Sequence, residues 1–93
     1  MTNQDLQALA RRHLWMHFSP MGKFQEEEIP VITHGEGCYV YNAHGKKFLD
    51  GLAGLFVTQV GHGRKTIAEA AAKQTEKLAY FPVWNAAHQP AIE

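Results

Sequence analysis

The stretch from Leu49 to Lys65, LDGLAGLFVTQVGHGRK, sets glycines, a histidine and basic side chains at spacings close to those of phosphate-binding loops. A Walker A loop closes on Gly-Lys-Ser/Thr, so that backbone N–H groups curl round the phosphates and the lysine reaches them. Here Lys65-Thr66 follows Arg64, not a glycine. The dinucleotide fingerprint needs a third glycine three residues after its second, and Gly61-His62-Gly63 is followed at that spacing by Thr66. Both phosphate readings fail on residue type. Two uses remain for Gly51 and Gly54. They allow tight packing at the end of a sheet, or they remove side chains where backbone borders a substrate, with Leu55 and Phe56 supplying bulk beside the gap.

Other reactive types are thinly spread. His13 and His17 stand four apart and could share a helical face, but no cysteine or carboxylate at suitable spacing completes a metal set, and zinc normally takes at least three protein ligands. Cys38, the only cysteine, lies in the apolar run Cys38-Tyr39-Val40-Tyr41 and reads as a buried, inert thiol. Asp50, just before Gly51, is placed to hydrogen-bond the following turn rather than to move protons.

These residues need elements to hold them, and 93 residues make one domain at most, with a marginal core. Hydrophobic content of 45% opposes disorder, and nine basic residues balance nine acidic ones. No bulk charge points to nucleic acid or an anionic membrane. No apolar run approaches the roughly 20 residues that span a bilayer, and MTNQDLQALARR lacks a signal-peptide pattern, so a cytoplasmic location is expected.

Thr2 to about Trp15 has helical spacing, with Leu6, Leu9, Ala10, His13 and Leu14 on one side, Gln7, Arg11 and Arg12 elsewhere, and Thr2 or Asn3 as cap. Ser19-Pro20-Met21-Gly22 ends it. Val31–Thr33, Cys38–Tyr41 and Lys47–Leu49 are strand-like, with turns at Gly35-Glu36-Gly37 and Asn42-Ala43-His44-Gly45, which gives a three-stranded antiparallel meander. Thr66 to about Tyr80 is a second helix, begun by a Thr66-Ile67-Ala68-Glu69 capping box, with Ile67, Ala70, Ala71 and Leu78 along one side. Tyr80, Phe81 and Trp84 crowd an irregular stretch, and His88 to Glu93 opens a further helix with Pro90 in its first turn. A helix begun and not propagated reads as part of a fragment.

The order Gly37-x-x-Val40-Tyr41-x-x-x-Gly45-Lys46-x-Phe48-Leu49-Asp50-Gly51-x-Ala53-Gly54-Leu55, then Val60-Gly61-His62-Gly63, an alanine-rich helix and an aromatic run, closely resembles the N-terminal segment of class III pyridoxal-phosphate-dependent aminotransferases. The ω-transaminase branch, which acts on β-alanine, other ω-amino acids or amines with pyruvate-like acceptors, is the closest look-alike. The resemblance runs from His13-Leu14-Trp15-Met16-His17-Phe18 to the end. It implies an α+β fragment, residues 1–93, from the small domain of a fold-type I homodimer, leading into an absent large domain. It also implies substrate-binding roles for Phe18, Leu55, Phe56 and Trp84, the last near the dimer interface.

Asn42 departs from the acidic residue common in that turn of the family. The resemblance further implies that the phosphate loop, the aspartate at the pyridine nitrogen and the cofactor-anchoring lysine lie outside this chain, because none of Lys23, Lys46, Lys47, Lys65, Lys73 or Lys77 has a matching context. The fragment alone is therefore expected to bind no pyridoxal phosphate and to be inactive. A second reading stays open: a small stand-alone interaction module whose aromatic surface at Tyr80, Phe81 and Trp84 is covered by a partner.

Overall fold

Helix α1, Asn3–His13, starts where the sequence places it. Thr2 accepts from the Asp5 N–H while the Asp5 carboxylate accepts from Thr2 N–H, a reciprocal cap that satisfies two orphan donors. Arg11, Arg12 and His13 put cationic types in the last turn, and Leu14 is already extended. The helix is thus shorter than the expected run to Trp15. His17 lies outside it, so His13 and His17 share no helical face.

The docking face of α1 is a correction to the sequence reading. Its buried residue is Gln7, while Leu9 and Leu14 remain exposed. Asn3, Gln7 and Arg11, four apart, form a polar ridge facing the irregular segment 24–29. Gln7 donates to the Ile29 carbonyl and accepts from the Ile29 N–H, both at 2.8 Å. Arg11 donates to the Phe24 carbonyl at 2.8 Å and the Glu27 carbonyl at 3.1 Å. Asn3 donates to the Glu28 carboxylate, which also bonds His44 at 2.7 Å. Irregular backbone has no ladder to satisfy it, so the helix supplies the partners. Phe24, on a 3₁₀ turn at Met21–Gln25, and Ile29 are the buried apolar side chains beneath this ridge.

Strands β1 (Ile32–Glu36), β2 (Tyr39–Asn42) and β3 (Lys47–Leu49) form the antiparallel meander in the order β1-β2-β3. The first turn is tighter than expected. Gly35 and Glu36 pair with Val40 and Tyr39, which leaves Gly37, at φ 57°, and Cys38 to reverse the chain. Cys38 is therefore an exposed turn residue, not a buried strand thiol. At the second turn the Asn42 amide oxygen accepts from the N–H groups of His44 at 3.1 Å and Lys46 at 2.8 Å. A neutral amide does there what a carboxylate would do.

The structure, a computed structural model, describes residues 1–93 and divides them into two units, 1–63 and 64–93. The second unit contains helix α3, Lys65–Lys77, and helix α4, Gln89–Ile92. A short turn element in the first unit, Ala53–Phe56, is labelled α2. Helix α3 begins one residue before Thr66, so Thr66 lies inside it. The expected capping box does not form, and no side chain caps the helix start. Pro90 sits in the first turn of α4, as its fixed φ favours. No helix is long and apolar enough to cross a membrane.

Candidate substrate wall at a left-handed turn

Element α2 is not an ordinary helix. Ala53, Gly54, Leu55 and Phe56 have φ of 50°, 58°, 60° and 58°, one turn of left-handed backbone. The Phe56 N–H donates to the Leu52 carbonyl at 3.3 Å and the Val57 N–H to the Ala53 carbonyl at 2.8 Å. For each non-glycine residue this conformation costs about 1–2 kcal/mol relative to the right-handed form. Gly54 alone adopts it freely. Elsewhere in the chain only Phe18, at φ 54°, is a non-glycine residue with positive φ.

Phe18, Leu55 and Phe56 are thus three of the four residues held in this strained backbone. Phe18 is 100% exposed, Leu55 62% and Phe56 77%. Large apolar side chains held out by strained backbone are poor packing and a common feature of ligand sites. Leu55 and Phe56 share the turn, whereas the Phe18 ring meets edge-on only that of His17, at 5.2 Å. Trp84, 86% exposed, belongs to the second unit, where it lines a groove of about 370 Å³ with Leu78, Tyr80, Phe81 and His88.

Asp50 performs the hydrogen-bonding role read from its position. Its Oδ1 accepts from the N–H groups of Leu52 at 3.1 Å and Ala53 at 2.8 Å. Its Oδ2 lies 2.7 Å from His62 Nε2, a partner that the sequence reading missed. The signal available for it was a histidine enclosed by two glycines. Gly37 and His62 exchange backbone hydrogen bonds at 2.8 and 3.1 Å, and the His62 ring lies so close to Gly35 that an added Cβ would come within 2.6 Å of its Cγ. Asp50, His62, Cys38 and Thr58 border a cavity of about 130 Å³.

The imidazole hydrogen bond, then the N–H of Ala53 and that of Leu52, hold the Asp50 carboxyl below the usual carboxylate range. A folded-state pKa lowered in this way contributes stability above the ordinary value, and the contribution is lost as pH falls through the lowered one. In the intact protein, the parent's advantage in thermal midpoint over Asp50→Asn should hold at about pH 5 and shrink in stronger acid. An advantage that stays constant through the acid limb would contradict this.

No group of three or more His, Cys, Asp or Glu side chains is arranged to hold a metal ion. All six lysines are exposed, and Lys23, Lys46 and Lys47 lie over the rings of Phe24, Phe48 and Tyr39. A cofactor-anchoring lysine must be enclosed at the cofactor and kept partly neutral. These residues do not fit that role.

Residues 22–93 match the aminotransferase class-III family. The chain belongs to the class III aminotransferases. A probable aminotransferase of Mycobacterium tuberculosis is 50% identical over 82 residues, covering 88% of this chain and 17% of that protein. The putrescine–pyruvate aminotransferase of Pseudomonas aeruginosa is 34% identical over 91 residues, covering 97% of this chain and 20% of its own length. Among solved structures, an (S)-enantioselective ω-transaminase from Thermomicrobium roseum superposes with a TM-score of 0.89 at 35% identity, over 99% of this chain and 21% of that one. The aminotransferase segment therefore spans about one fifth of the relatives it matches. The α+β meander is the fold of this region in transaminases. Family membership disfavours the stand-alone interaction module.

Proposed function

We propose that this chain is the small-domain segment of a pyridoxal-phosphate-dependent aminotransferase. The whole enzyme moves an amino group between an amine or ω-amino acid and a keto acid such as pyruvate, and acts as a cytoplasmic homodimer. The segment's own share is one wall of the amine pocket. Leu55 and Phe56 form that wall, and the resemblance assigns Phe18 to the same pocket and Trp84 to the region of the dimer interface. The cofactor and the groups that react on it are supplied by the rest of the enzyme, so the segment alone is expected to be inactive. The observation that carries this reading is the strained backbone at Phe18, Leu55 and Phe56. It is supported by the putrescine–pyruvate relative, whose substrates are an amine and a keto acid.

Phe56→Ala in the intact enzyme tests it. Removing the ring enlarges the pocket, and each methylene-sized group gained or lost redistributes preference by about 1–3 kcal/mol. Small amines should react less efficiently and bulky aryl amines should gain relative to them, with cofactor occupancy unchanged. The readout is the ratio of kcat/KM for a bulky and a small amine, in the variant and the parent. An unchanged ratio in a folded, cofactor-loaded variant makes Phe56 a packing residue and refutes the wall.

A further inference from the structure

The left-handed turn is closed by its own backbone hydrogen bonds but has no packing to select it. It buries no side chain, and three of its four residues carry a Cβ in a region that L-residues avoid. Groups outside the turn must select this conformation. Gln59 donates to the Phe56 carbonyl, but Gln59 belongs to the exposed loop that follows. Asp50 is different, because it joins the turn to the sheet. Its backbone N–H donates to the Cys38 carbonyl at 2.9 Å, its Oδ1 takes two N–H groups at the start of the turn, and its Oδ2 bonds His62. His62 in turn is fixed by its backbone exchange with Gly37 and by its ring seat on Gly35.

We infer that Asp50 and His62 are a positioning couple that sets amine specificity. His62 anchors the Asp50 carboxylate, the carboxylate selects the left-handed turn, and the turn decides where Leu55 and Phe56 stand and how large an amine is admitted. The inference rests on the reading of Leu55 and Phe56 as a pocket wall. Both residues of the couple act through the turn.

The test is a double-mutant cycle in the intact, cofactor-loaded enzyme, read as the bulky-to-small ratio of kcat/KM. Asp50→Ala should shift the ratio by about tenfold in the parent. In the Phe56→Ala background the same change should shift it by a smaller factor, because only Leu55 is left to misplace. Asp50→Asn keeps an oxygen for the Leu52 and Ala53 N–H groups and should recover part of the parental ratio, which a loss of general stability would not produce. His62→Phe keeps a ring against Gly35 but offers the carboxylate no N–H, and should shift the ratio in the same direction by a smaller factor. It carries the test if Asp50→Ala does not fold.

Equal shifts in both backgrounds, Asp50→Asn no closer to the parent than Asp50→Ala, or an unshifted ratio in His62→Phe would each overturn the couple. If Phe56→Ala shifts the ratio and the Asp50 and His62 variants do not, the wall stands and the couple alone fails. If Phe56→Ala shifts nothing, the wall fails and the couple with it.

Discussion

Gly61→Ala should be strongly destabilising. Gly61 has φ 83°, and a Cβ there would lie 2.8 Å from the Gly37 carbonyl oxygen, which already accepts the His62 N–H. The obstacle is backbone, so no side chain can swing aside. The substitution imposes about 1–2 kcal/mol of left-handed strain. It also forces apart the two hydrogen bonds exchanged by Gly37 and His62, worth about 1 kcal/mol each. Together these give roughly 3–4 kcal/mol, enough to lower soluble yield as well as the thermal midpoint. Two other glycines separate the causes. Gly45, at φ 75° with open space around it, should show the strain without the clash when changed to alanine. Gly22 has neither, so its alanine variant should stay within about 0.5–1 kcal/mol of the parent. The measurement is the thermal midpoint of the three variants in the intact enzyme. A Gly61→Ala midpoint no lower than that of Gly45→Ala would show that the junction relaxes and is not a fixed anchor for His62.

The same residues show how far the sequence could be read. Apolar alternation and turn residues locate the meander, because strand residues Val40, Phe48 and Leu49 and the turn residues Asn42 and Gly45 act through local backbone preference. Asp50 is legible for a similar reason: its partners, Leu52 and Ala53, are near neighbours in the chain. His62 is not, since its partnership with Asp50 spans twelve residues and depends on a bridge to Gly37 that no local pattern encodes. The left-handed turn was hidden for another reason. A short run of Ala, Gly, Leu and Phe looks like tight packing, and only the positive φ at Ala53, Leu55 and Phe56 shows strained backbone. The Thr66 capping box matched a local motif, but α3 starts one residue early and takes Thr66 inside the helix. Local motifs propose a boundary, and the backbone hydrogen bonds decide it.

Gln7 bears on how α1 is held, and replacing it by leucine should undock that helix locally. Periodicity favours an apolar face at Leu6, Leu9 and Leu14, yet Gln7 is the buried residue and makes two hydrogen bonds to Ile29. Leucine fills a similar volume and leaves the buried Ile29 N–H and carbonyl without partners. Each orphaned group costs about 1–3 kcal/mol, so local opening should become easier by roughly 2 kcal/mol or more. Since every 1.4 kcal/mol is about tenfold, the Ile29 amide should exchange with solvent roughly 30-fold faster or more. Hydrogen exchange on peptides covering Glu26 to Val31 of the intact enzyme reads this directly. Leu9→Ala is the counterpart. Leu9 is exposed in this structure and makes no hydrogen bond to the segment 24–29, so its loss should leave exchange at Ile29 near the parental rate. Faster exchange in Leu9→Ala than in Gln7→Leu would mean that the apolar stripe docks the helix and the polar ridge is incidental. The opposite order would show that α1 is held by satisfying the backbone of an irregular loop. That loop, through Glu28 and His44, also fixes the turn between β2 and β3. The ridge therefore bears on the sheet that carries Asp50, as well as on the helix.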